Sequence, residues 1–153
     1  MPLKLHAALV GVAASALLLL GCNAAGSATL SPTATVPLVR SVALDTAFPL
    51  RGGETVDLAA QGMVLTFAFM TSDSRCPTDV ACPRAGGAVL HFTWSRSGGQ
   101  RGAFDLRIGA GGSGMARFSR YVVTAGDLLP QPTTSNLRPS LRDYQVTLRV
   151  ELA

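Results

Sequence analysis

From about residue 41 onward the chain is written in short alternating runs of apolar and polar residues. Tyr144, Val146, Leu148, Val150 and Leu152 alternate with Gln145, Thr147, Arg149 and Glu151, the two-residue period of a strand with one buried face. Met63, Leu65, Phe67 and Phe69 alternate with Val64, Thr66, Ala68 and Met70; both faces are largely apolar, which predicts a central strand. Ala88, Leu90, Phe92 and Trp94 alternate with Val89, His91, Thr93 and Ser95, and Phe104, Leu106 and Ile108 with Asp105 and Arg107. Between these two runs, Ser97 to Gly102 is a natural hairpin connection. Weaker alternations at Val42/Leu44 and Val56/Leu58 flank a turn region from Pro49 to Glu54, and a further strand is expected over Phe118 to Thr124. The stretch from Leu128 to Pro139 contains three prolines and is expected to be a long crossover or edge connection.

No window of this region keeps a helical period. About seven strands separated by Gly, Pro and Asp clusters predict an all-β fold over residues 41 to 153, an antiparallel β-sandwich that is immunoglobulin-like or small barrel-like. Some 110 residues suffice for one such core.

The N-terminal segment follows another pattern. The chain of 153 residues is 48% hydrophobic and only 14% charged, with a mean hydropathy of +0.33. Fifteen of the hydrophobic residues fall in the first 21 positions, so the remainder has an ordinary composition for a folded domain. Lys4 and His6 precede an unbroken apolar stretch from Ala7 to Leu20, the layout of an export signal. As a helix this stretch would be roughly 21 Å long against a hydrocarbon core of about 30 Å, so a signal segment over 1 to 21 fits better than a membrane span. Residues 23 to 40 are small, Pro-containing and without period, and read as a disordered, flexible linker that follows the signal helix and Cys22.

Leu19-Leu20-Gly21-Cys22 resembles the lipobox of bacterial lipoproteins, with Leu three positions before the cysteine and a small residue directly before it. Leu20 departs from the Ala or Ser more usual there. The resemblance implies cleavage before Cys22, a diacylglycerol on its thiol and acylation of the new N-terminus. Two or three acyl chains, at about 0.8 kcal/mol per buried CH₂, make an anchor that does not readily dissociate. The resemblance thus implies a cell-envelope location facing the periplasm or exterior, with the membrane as partner through the acyl chains. Asn23, where Asp would mark inner-membrane retention, favours an outer membrane if the cell has one.

Removing the signal removes the only lysine, leaving twelve arginines against nine Asp and Glu, a net charge of +3. The arginines are scattered and form no basic stripe, which argues against nucleic-acid binding.

The most distinctive segment runs from Asp73 to Gly87. Cys76 and Cys82 enclose five residues including Pro77, a span that a folded-back loop closes as a disulfide, and export to an oxidising compartment favours the pair. The spacing is not C-x-x-C, and two thiols with one mature histidine fall short of a closed zinc site. Asp73, Arg75, Asp79 and Arg84 are the candidate binding residues of this loop; for Asp73 and Arg75 the plainer expectation is turn capping and local ion pairing. The run D-S-R-C-P-x-x-V-x-C resembles a motif of uncharacterised bacterial envelope lipoproteins that usually continues W-A-G-x-A; Arg84 stands here in place of the aromatic. The resemblance spans roughly residues 48 to 152 and implies a small β domain, with no activity to carry over.

No catalytic set emerges. His91, the single mature histidine, has no nucleophile context and reads as a sheet histidine. Met63, Met70, His91 and Trp94 would make a copper site only if Trp94 and His91 shared a face, and strand parity separates them. Asp57, Asp105 and Asp127 read as turn and strand-surface carboxylates, and Gly109 to Gly114 lacks the lysine of a phosphate loop. The expectation is a non-enzymatic, lipid-anchored binding or structural domain without cofactor or metal, its partner an envelope protein or glycan. The alternative is a protease-inhibitor-like or ligand-binding module working through the 73–87 disulfide loop.

Overall fold

The computed structural model describes residues 39–153. The expected signal segment, Cys22 and the linker as far as residue 38 lie outside the described residues. The rest is all-β: strands β1 (Arg40–Val42), β2 (Phe48–Arg51), β3 (Thr55–Leu58), β4 (Met63–Asp73), β5 (Ala88–Arg96), β6 (Arg101–Ile108), β7 (Gly114–Phe118), β8 (Tyr121–Leu129) and β9 (Gln145–Leu152), with one 3-10 turn at Leu141–Asp143. They form a single sheet in the order β1-β3-β4-β5-β6-β7-β8-β9-β2. Every pairing is antiparallel except β1 with β3, which is parallel.

The sheet curls until its two edges nearly meet, giving a barrel-like fold. The turn between β2 and β3 stitches the seam: the Gly52 amide donates to the Tyr144 carbonyl and the Gly53 amide to the Phe67 carbonyl, at 3.0 and 2.7 Å. Glu54 holds the turn by accepting from the Arg51 amide at 2.9 Å, and the Arg40 guanidinium reaches across to the Pro49 carbonyl. Pro49 is tolerated because β2 is an edge strand with no ladder donor needed on its open side. The opposite wall is also loose, since β6 and β7 pair only at Ile108 and Gly114.

Across that gap the core is held by side chains. Stacked rings run Phe67, Phe92, Phe104, Phe118, Tyr121 with centroids 5.1, 5.3, 4.5 and 5.5 Å apart, crossing β4 to β8 in turn. Leu50, Val56, Leu65, Leu90, Leu106, Val123, Val146 and Leu148 fill the remainder, all fully buried.

The strand count rises to nine for two local reasons. Phe48 and Leu50 are buried and pair with β9, so half of the expected turn region from Pro49 to Glu54 is strand. The expected Phe118 to Thr124 strand is broken by a tight turn, Ser119-Arg120, with Ser119 at φ 49°.

Alternation along β4 also changes phase. A bulge between Phe67 and Phe69 leaves Phe69 opposite His91 on the outer surface, 48% exposed, while Met70 turns toward the core. A second bulge between Met70 and Ser72 restores the phase, so Asp73 stands opposite the buried Ala88.

Strand directions sort the connections between two ends. The start of β1, the 52–54 turn, the 74–87 and 109–113 loops and the 130–144 connection share one end. The 43–47, 59–62 and 97–100 loops, the Ser119-Arg120 turn and Ala153 share the other.

Candidate functional site

The double bulge of β4 delivers Asp73 inward at the crowded end, and two residues later Arg75 folds back on it. Arg75 Nε and Nη2 donate to Asp73 Oδ1 and Oδ2 at 2.8 and 2.7 Å, a bidentate pair whose side chains are only 9% and 7% exposed. The same guanidinium donates to the Leu128 carbonyl at 2.6 Å and the Pro130 carbonyl at 2.9 Å. Tyr144 at the entry to β9 donates its hydroxyl to Asp73 at 3.2 Å. One buried ion pair thereby joins the ends of β4, β8 and β9.

Burial alone would raise the Asp73 pKa; the hydrogen bonds and charge of Arg75, with Tyr144, outweigh it and hold the carboxyl below its usual value. Tyr144 moves oppositely. Burial, the Asp73 charge and the hydrogen bond to it push its phenol up to about 12.

Beyond the pair, Cys76 and Cys82 form a disulfide with Cα atoms 5.9 Å apart. The ring it closes is fastened to the 130–144 connection. Thr78 donates its amide to the Pro132 carbonyl at 2.9 Å, and the Asp79 carboxylate accepts from the amide and hydroxyl of Thr134. Those bonds lower the Asp79 pKa although the side chain is exposed. The loop returns through Gly86, whose φ of +65° and contact with the Ser74 carbonyl leave no room for a Cβ.

Of the four candidate binding residues, Asp73 and Arg75 are therefore engaged inside, Asp79 is engaged with Thr134, and Arg84 is exposed with no hydrogen-bond partner among the described residues. Arg75 already uses Nε, Nη1 and Nη2. Nothing local in the sequence singles out Tyr144 or Thr134, because their partners lie 71 and 55 residues away along the chain.

Two concavities flank this end. One, of about 530 Å³, lies between the last residues of β4, Phe69 to Asp73, and the segment from Leu137 to Tyr144, with Phe69, Met70, Leu137, Leu141 and Tyr144 in its walls. The other, of about 960 Å³, opens over the barrel seam beside Arg40, Arg51, Glu54, Leu141 and Arg142.

The other sequence candidates are dispersed. His91 Nδ1 lies 2.7 Å from Asp105 Oδ1 on the outer surface, its ring stacked on Phe69 at 4.4 Å. Trp94 packs toward the core against Phe118, and Met63 is buried. Asp57 accepts from Ser41 at 2.8 Å, and Asp127 sits at φ 40° within a bulge of β8. Among the described residues no three His, Cys, Asp or Glu side chains gather as a metal site. Compared with protein-family models, curated proteins and solved structures, the chain finds no match.

Proposed function

We propose that this chain is a bacterial lipoprotein: a signal segment removed before Cys22, acyl chains on that cysteine, and a small β domain held at a cell-envelope membrane as a non-enzymatic binding or structural module. The observation that carries the reading is the pairing of Cys76 with Cys82. It accounts for two of the three cysteines and is the chemistry of an oxidising compartment. Cys22, within Leu-Leu-Gly-Cys, is left for lipid. The polar groups of the 73–87 loop support a structural part for its base, since Asp73 and Arg75 are spent on joining three strands.

Metabolic labelling with a fatty-acid analogue tests it. The wild-type chain is expected to incorporate label and to partition into detergent, and Cys22→Ser to incorporate none. An unlabelled wild-type chain, or label retained by Cys22→Ser, overturns the reading.

A further inference from the structure

The barrel's two ends differ in chemistry. Arg40, Arg51, Arg84, Arg138 and Arg142 are all exposed at the end where β1 begins, along with the exposed aliphatic side chains of Val39, Val80, Leu129 and Leu137. The carboxylates there are already occupied: Glu54 by Arg40 and the Arg51 amide, Asp79 by Thr134, Asp143 by the Ser140 amide. The side chains of Arg51, Arg84, Arg138 and Arg142 have no hydrogen-bond partner among the described residues. At the opposite end the exposed arginines are Arg101, Arg117 and Arg120, with the exposed carboxylate of Asp45 at the same end.

We propose that the Arg-rich end is a membrane-docking face that binds the anionic headgroups of the bilayer to which Cys22 is anchored. The inference rests on the lipid-anchor reading and adds to it an orientation and a lipid preference. Cys22 is followed by seventeen residues, 23 to 39, before β1 starts at this same end. Such a chain spans at most about 58 Å. Presenting the far end to the membrane would require it to run back along a wall whose longest strand, the eleven-residue β4, rises roughly 33 Å. Presenting the near end requires no such detour. Guanidinium groups suit phosphate geometrically as well as by charge, and aliphatic side chains among them fit the boundary between headgroups and acyl chains.

The placement has a consequence for the disulfide loop. Val80 and Arg84 at its tip would lie against lipid, so the surface left for a protein or glycan is the outer wall and the far end.

The mature acylated protein, reconstituted in phosphatidylcholine vesicles and in vesicles that also contain phosphatidylglycerol, is the material for the test. Flotation at high salt reads the anchor; amide exchange reads docking. Residues 52–54, 76–84 and 130–142 are expected to gain protection only with phosphatidylglycerol present. Combined substitution of Arg51→Gln, Arg138→Gln and Arg142→Gln should abolish that gain, since each arginine near an anionic surface contributes about fivefold to the docked population and three together roughly a hundredfold. High salt should abolish it too. A floating protein whose exchange is the same in both lipids, or whose protection falls on residues 97–100, overturns the docking face and leaves the anchor standing. Failure to float overturns the anchor, and the docking face with it.

Discussion

Arg75 grips the Asp73 carboxylate through Nε and Nη2 while its remaining donors hold the Leu128 and Pro130 carbonyls, more than fifty residues away. A local pair two residues apart thus acts as a long-range fastener. Arg75→Ala leaves Asp73 buried without its cation and is expected to cost about 3 to 5 kcal/mol. Asp73→Ala combined with Arg75→Ala should cost clearly less than the sum of the two single losses, as read by urea denaturation in a double-mutant cycle. Strict additivity would show that the two side chains do not work as a unit.

The third member of that cluster predicts an alkaline signature. Tyr144 has its folded-state pKa raised to about 12, so its contribution to stability is complete below the unfolded value of about 10 and is lost as pH rises from there through about 12. Asp73 is lowered, so its contribution is complete above about 3.9 and is lost as pH falls through the lowered value. Urea midpoints measured across pH should decline in both windows. Tyr144→Phe should flatten the alkaline decline and leave much of the acid one; an unchanged alkaline decline in that variant would contradict the assignment.

Phe67 and Phe69 occupy alternate positions of one strand, yet the bulge between them makes their substitutions unequal. Phe67 is fully buried and stacked on Phe92, so Phe67→Ala is expected to cost about 3 to 5 kcal/mol. Phe69 lies outside against His91, and Phe69→Ala should cost roughly 1 kcal/mol or less. Thermal melts of the two variants check this, and equal losses would place Phe69 inside.

Opening the disulfide should loosen a place without unfolding the barrel. The short ring from Cys76 to Cys82 contributes about 2 kcal/mol in the chain-entropy account, and its bonds run to Pro132 and Thr134. Cys76→Ser with Cys82→Ser is expected to lower the melting temperature, keep the far-ultraviolet spectrum of a β protein and speed amide exchange at Thr78 and Thr134. Unchanged exchange at those two amides would mean that the disulfide does not hold the loop to the 130–144 connection.

Much of the architecture is legible in the residue pattern where local rules act alone. At the entry to β9 and along it, Tyr144, Val146, Leu148 and Val150 are buried as the alternation predicts, with only Leu152 at the strand's end exposed, and the spacing of Cys76 and Cys82 already suits a disulfide. The pattern is silent where backbone irregularity intervenes. The β4 bulges leave no glycine or proline mark, so Phe69 reads as core although it is outside. The turn at Ser119-Arg120 lacks the usual Asn or Gly and lies between Phe118 and Tyr121, where the residue pattern marks no break. Asp73 and Arg75 can be expected to pair from their spacing, but the carbonyls of Leu128 and Pro130 and the hydroxyl of Tyr144 come from distant strands. No local signal announces them.

The most direct measurement of the central claim is the intact mass of the protein extracted from membranes with detergent, taken with and without reduction and alkylation. The account predicts residues 22 to 153 carrying a diacylglycerol and an N-terminal acyl group, with one disulfide that reduction converts to two alkylated thiols. A mature chain beginning elsewhere, or a Cys22 that alkylates without prior reduction, would contradict it.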